Sequence, residues 1–153
     1  MSHAEQFAQQ WKAQRDVLES VLARIPEGQE GFKPWEGAMS LGGLALHAAT
    51  SAKLFAQIAA TGEFARPSVE AASMAEIRAA VHELTEQTMA LLVSISDERW
   101  AQSVDMTHVL GREVEVSGML YGMRDHEVHH KGQLFVYARM VGAEDLPMFT
   151  KFA

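Results

Sequence analysis

Cysteine is absent from this chain. Disulfides, cysteine-based zinc knuckles and a cysteine nucleophile are thereby excluded, and any thiol in its chemistry must arrive with a small molecule. No apolar run reaches the roughly 20 residues that a membrane-spanning helix needs, and the opening MSHAEQFAQQWK has no apolar signal core. Basic charge is sparse and scattered: 13 Lys and Arg against 20 Asp and Glu give a formal charge of -7. Nucleic-acid binding, which needs clustered cations to neutralise phosphates, is not expected, and neither is a membrane. The expectation is a soluble, cytoplasmic protein with an acidic solvated surface. A glycine-rich phosphate loop, a Ser-His-Asp arrangement and an internal repeat are all missing too.

What is present is enough for a core. The 153 residues, 48% of them apolar, predict one compact domain over 1–153. Residues 4–25 read as a helix, with Phe7, Trp11, Leu18, Leu22 and Ile25 on one face. Pro26 and Gly28 stop it, and 26–39 is a Gly- and Pro-rich loop. Ser40 predicts the cap of a second helix through about Thr61, closed by Gly62, with Leu44, Leu54, Phe55 and Ile58 inward. A third helix runs from about Ser73 to Ile95, where Ser73 and Glu76 match a capping box and Ile77, Val81, Leu84, Leu91 and Ile95 form the stripe. Residues 100–116 suggest a short hairpin around an LGR turn. Ser117 then predicts the cap of a fourth helix through about Val141, ended by Gly142. Four amphipathic helices of this length predict an all-α four-helix bundle. The apolar residues of the tail, from Leu146 to Phe152, suit docking on that bundle.

Chemistry is concentrated in HEVHHKGQ, residues 126–133. At about 100° per residue, His130 lies roughly 40° from His126 and one turn further on, on the stripe of Met119, Met123, Leu134, Tyr137 and Val141. His129 falls about 60° to the other side, at the flank. Chance alone would give roughly 0.3 such His-x-x-x-His pairs among seven histidines, so spacing by itself says little. Placement on an apolar stripe says more, because two buried imidazoles need partners. A metal ion would satisfy both, and so would hydrogen bonds within the core. The best third ligand is His47, two turns into the second helix on its apolar face. Three histidines without cysteine suit Zn²⁺, Ni²⁺ or Fe²⁺ and leave positions open for water or substrate. His82 should face solvent, His108 belongs to the hairpin without a partner, and His3 sits at a frayed terminus. Gly118, Gly122 and Gly132, each costing about 1 kcal/mol in a helix, predict either close approach of another helix, the commoner reason, or room for a ligand. Met119, Met123, Met140 and Met148 are expected as core filler, and Glu76, Glu83 and Glu86 as a solvated face.

Two segments, FKPWEGAMSLGGLALHAATSAKLF at 32–55 and YGMRDHEVHHKGQLFVYARMVG at 121–142, together with the closing EDLPMF, resemble the DinB-like family over nearly the full length. The resemblance implies a bundle in up-down-down-up order, often a homodimer, holding nickel or zinc on three histidines, which match His47, His126 and His130. His129 and Gln133 also match its H-x-x-H-H-[KR]-G-Q core, without a fixed role; second-shell support or helix packing is the expectation for both. The wider superfamily includes metal-dependent enzymes that join low-molecular-weight thiols to electrophiles, and a mycothiol-dependent isomerase. A thiol S-transferase acting on electrophilic small molecules is therefore one expectation, with the metal's open position in a pocket between the first, second and fourth helices. A non-catalytic, stress-linked metal- or partner-binding protein is the alternative. No catalytic residue is assigned.

Overall fold

The computed structural model describes residues 1–152. Four long helices dominate it: α1 (His3–Ala23), α2 (Leu41–Thr61), α3 (Met74–Val93) and α6 (Val116–Met140). Between the last two lie a single turn α4 (Asp97–Trp100), strand β1 (Ser103–Asp105), a turn α5 (Thr107–Leu110) and strand β2 (Glu113–Glu115).

Local chemistry sets most of these boundaries. The Ser2 hydroxyl accepts from the Glu5 amide at 3.1 Å and the Glu5 carboxylate accepts from the Ser2 amide at 2.7 Å, a capping box that starts α1 at His3. His3 is thus not frayed: its ring stacks on Trp100 and its Nδ1 lies 3.0 Å from Asp97. Ser40 caps α2 through the Gly43 amide, and Gly62, at φ 78°, ends it in the left-handed conformation that glycine tolerates. Ser73 caps α3 through the Glu76 amide. Helix α3 stops two residues short of Ile95, and Leu92 is fully buried where Leu91 is only half-buried. The hairpin exists, pairing Ser103 with Glu115, Val104 with Val114 and Asp105 with Glu113. Its connection is longer than a tight turn, because α5 intervenes before Gly111 reverses the chain. Ser117 is not a cap. Helix α6 begins at Val116 with no side-chain cap, and the Val116 amide donates to the Gln102 carbonyl at 2.9 Å, so the docked hairpin takes over that role.

The packing order is α1–α3–α2–α6 around a ring, with α1 and α2 on one diagonal. Directions follow from cross-helix partners. Arg78, near the start of α3, donates to the carbonyls of Leu22 and Ile25 at the end of α1, so these two helices are antiparallel. Phe7 meets Tyr121, and Lys131 donates to Gln14, so α1 and α6 run together. The Tyr137 hydroxyl donates to the Met39 carbonyl just before α2, while Phe55 shares a cavity wall with Met119, so α2 opposes α6. The order is up-down-down-up. Parallel α2 and α3 demand a return crossing of roughly 31 Å for 21 helical residues, which the extended segment 62–73 spans readily at about 3.3 Å per residue.

The core has two apolar clusters. One gathers Val17–Ile25, Leu41–Ala49, Met74–Leu84 and Leu134–Ala138; the other gathers Ala4–Trp11, Ala52–Ala59, Leu92–Trp100 and Val116–Met123. The buried polar side chains fall between them in sequence on every helix: Arg15, Ser51, Thr85, Thr88, Glu127, His130 and Lys131. A polar layer therefore crosses the middle of the bundle. Its centre is Arg15, 0% exposed, whose Nε and Nη2 donate to Glu127 at 2.8 and 2.7 Å. The same guanidinium donates to Thr85 Oγ1 at 3.1 Å and the Ala48 carbonyl at 3.4 Å and lies over the Trp11 ring. Four helices meet on one side chain. Removing one member leaves a buried charge unpaired, so Glu127→Ala is expected to lose about 3–5 kcal/mol in urea unfolding of the metal-free protein. Replacing both Arg15 and Glu127 with Met is expected to cost less than that single change.

Candidate metal centre

Because α2 and α6 are antiparallel neighbours, a residue two turns into α2 faces the middle of α6. His47 meets His126 and His130 there. His126 Nε2 lies 3.1 Å from His47 Nε2 and 3.0 Å from His130 Nε2, and the three donor nitrogens all fall within 4.8 Å of one another. Two nitrogens held by one ion at about 2.0–2.1 Å stand roughly 3 Å apart, so both His126 pairs match the spacing a shared metal ion imposes.

Proton counting weighs against a purely hydrogen-bonded cluster. His130 Nδ1 lies 2.8 Å from Gln133 Oε1. An amide oxygen only accepts, so that contact places the His130 proton on Nδ1 and leaves its Nε2 with a lone pair. A neutral His126 has at most one proton on Nε2. Of its two close contacts, only one can then be a well-formed hydrogen bond. A cation would satisfy three lone pairs together, and the Gln133 contact would then orient His130 toward it.

Electrostatics favours the neutral imidazoles that metal binding needs. Burial, then the neighbouring His130 and His47, pushes the His126 pKa down to about 4. His47 is also lowered, by burial first, then His130 and the guanidinium of Arg66.

The sequence places His126 and His130 together on the core stripe. Only His130 is buried; His47 and His126 are half-buried. The buried arc of α6 centres on Leu120, Glu127, Leu134 and Ala138, which puts His126 at its edge. The cluster thus opens outward. His126 forms part of the wall of a cavity of about 580 Å³, whose other walls are Met119 and Met123 of α6, Phe55 of α2, and Leu110, Arg112 and Val114 of the hairpin. Helix α1 contributes nothing to it, contrary to the expected pocket; the hairpin takes its place. Gly118 and Gly122 also line it, and a Cβ on either would meet nothing within 4 Å. Those glycines leave space instead of admitting a neighbouring helix. Gly132 is equally open, and the close approach occurs at Gly42, where a Cβ would stand 2.7 Å from Ile77 Cδ1.

The other histidines stay outside. His129 is exposed, its ring 4.8 Å from that of His130. His82 faces solvent as expected and pairs with Glu19 at 2.9 Å, and His108 packs on Phe64. Met119 and Met123 are core residues, but Met140 and Met148 are exposed. The sequence reading missed Arg15 and Glu127, although a signal existed: each is a charged residue on an apolar stripe. It also missed Arg112 and the hairpin wall, which only long-range docking brings to the site.

Fold and site together define a class, a helical bundle in which two adjacent helices present three histidines able to hold a metal ion. The chain belongs to the DinB family, matching it over residues 1–152. It is 30% identical to the uncharacterized protein YjoA of Bacillus subtilis over 154 residues, 99% of each chain. The crystal structure of that DinB-like protein superposes with a TM-score of 0.86 over 97% of this chain and 99% of the other. A DinB-like protein from Bacillus cereus, 22% identical, shares the fold at a TM-score of 0.76 over 93% and 94% of the two chains. A mycothiol-dependent maleylpyruvate isomerase, 19% identical, shares it at 0.54 over 95% of this chain and 65% of its own.

Two outcomes are expected. Protein prepared without an affinity tag binds one divalent ion; His126→Ala abolishes binding, His129→Ala retains it, and Gln133→Ala weakens it about 10–100-fold, all readable by metal titration. In the metal-free protein, folding excludes protons from His126 and His47. The stability they contribute is therefore complete above about pH 6.5 and falls as pH drops toward 4. Thermal melts between pH 7 and 4.5 should show that decline, and His126→Ala should flatten it.

Proposed function

We propose that this protein is a divalent-metal-dependent enzyme that joins a low-molecular-weight thiol to an electrophilic small molecule, with Ni²⁺ or Zn²⁺, or Fe²⁺, held by His47, His126 and His130. The observation that carries this reading is the convergence of three Nε2 atoms at the edge of a cavity large enough for a small molecule. A metal bound there would lower the pKa of a thiol and supply a thiolate at neutral pH. The chain's own contribution is positional. Gln133 fixes the His130 tautomer, and the Arg15 guanidinium, shared by Glu127 of α6 and the Ala48 carbonyl of α2, ties those two helices in register. Gly118 and Gly122 keep space beside His126, while Phe55, Met119 and Met123 give an apolar wall that shields a thiolate from water. With no cysteine in the chain, no protein thiol competes for the ion. The shared fold with a mycothiol-dependent isomerase supports a thiol as co-substrate.

A specific surface feature favours a second reading, a non-catalytic, stress-linked metal- or partner-binding protein. Val136, Met140, Met148, Phe149 and Phe152 are apolar and more than half exposed on the outer side of α6 and the tail. On the second reading these side chains receive a partner; on the first they would serve only a homodimer contact. Assay separates the two. Metal-loaded, tag-free protein is expected to conjugate monochlorobimane or chlorodinitrobenzene to at least one member of a broad thiol panel, faster than the spontaneous reaction and not after chelation or in His126→Ala. Full metal occupancy with no turnover across the panel would leave the second reading standing.

A further inference from the structure

The cavity beside His126 is mostly apolar, so each polar group in its wall is informative. There are three. His126 belongs to the histidine cluster. Glu115 sits at the N-cap of α6, where the helix dipole favours a carboxylate, and accepts from the Ser117 hydroxyl at 3.4 Å. Arg112 has no comparable partner. It is exposed, and among the described residues its side chain makes one hydrogen bond, from Nε to the adjacent Glu113 carbonyl at a long 3.5 Å, and no ion pair. Other arginines are engaged: Arg15 with Glu127, Arg78 with Glu27, Arg24 with the Asp145 carbonyl and Arg99 with the Ala59 carbonyl.

A guanidinium offers a planar fork of donors that matches a carboxylate in a two-point contact. Held against an apolar wall, it gains from an anion of complementary shape more than it would in open water. Phe55, Val114, Met119 and Met123 fit a hydrocarbon or aromatic body in the cavity that Arg112 and His126 also line. Arg66, whose charge helps lower the His47 pKa and which makes no ion pair among the described residues, adds positive potential on the histidine side. The carboxylate of Glu115 opposes this within the same wall, which restricts the preference to ligands that reach the guanidinium itself.

We propose that Arg112 is a specificity-determining residue, and that the small molecule taken up beside the histidine cluster has an apolar body and a carboxylate that Arg112 binds. This deepens the transferase reading by naming its substrate class and rests on the cavity serving the metal centre. The test uses matched probes that need no turnover, 4-phenylbutyrate and 4-phenylbutan-1-ol, titrated calorimetrically into the metal-loaded full chain. The carboxylate is expected to bind about tenfold tighter or more, in keeping with a charge-assisted pair. Arg112→Gln should erase that preference without shifting the melting temperature, and Arg124→Gln, on the α1 side of α6, should leave it intact. Equal binding of the two probes, or of neither, would overturn the proposal. So would a preference that survives Arg112→Gln, which would place the carboxylate on the metal. A failed conjugation assay beside an intact, Arg112-dependent preference would instead sink the transferase reading alone.

Discussion

A guanidinium buried completely in the middle of the bundle is the constraint on which the rest depends. Arg15 cannot be left without partners at that depth, since an unpaired buried charge would cost several kcal/mol. Its partners come from the other three long helices: Glu127 of α6, Thr85 of α3 and the Ala48 carbonyl of α2. Apolar clusters above and below would tolerate a slide of one helix past another, because hydrocarbon contacts are not directional. The forked hydrogen bonds would not. Two of the partners also adjoin the site directly, since Ala48 follows His47 and Glu127 follows His126 in the chain. The layer that fixes helix register is the layer that brings the histidines together.

The position of that layer also sets the site's electrostatics. Deep enough for burial to disfavour imidazolium, it keeps His47 and His126 in the form that donates a lone pair. Shallow enough to meet the surface at His126, it leaves a cavity rather than a closed cage. A site buried among four helices would serve structure; one at the rim, faced with glycine on one helix and roofed by a docked hairpin, is accessible to a ligand.

Much of this was legible in the sequence, for local reasons. Ser40, Gly62 and Ser73 mark their helix ends because capping is short-range chemistry. His126 and His130 come together because four residues make about one turn, and His47 stands out as a polar group on an apolar face. The up-down-down-up order came from the resemblance to the DinB family and not from periodicity, which cannot orient one helix against another. What stayed hidden was long-range. The hairpin both replaces a cap for α6 and supplies the cavity wall, and nothing in residues 100–116 announces where it docks. The outward position of His126 was missed because the apolar stripe was drawn without Glu127, a charged residue whose burial depends on Arg15 more than one hundred positions earlier. The glycines of α6 left two readings open, close approach of a helix or room for a ligand, and only the packing around Gly118 and Gly122 decides for space.

The central claim is that His47, His126 and His130 hold one metal ion together. X-ray absorption spectroscopy at the metal edge, on protein prepared without an affinity tag, addresses it most directly. The account predicts near-stoichiometric metal with about three imidazole nitrogens at roughly 2.0–2.2 Å and additional lighter-atom scatter from open positions. Sub-stoichiometric metal, or a spectrum without the multiple-scattering signature of histidine, would contradict it.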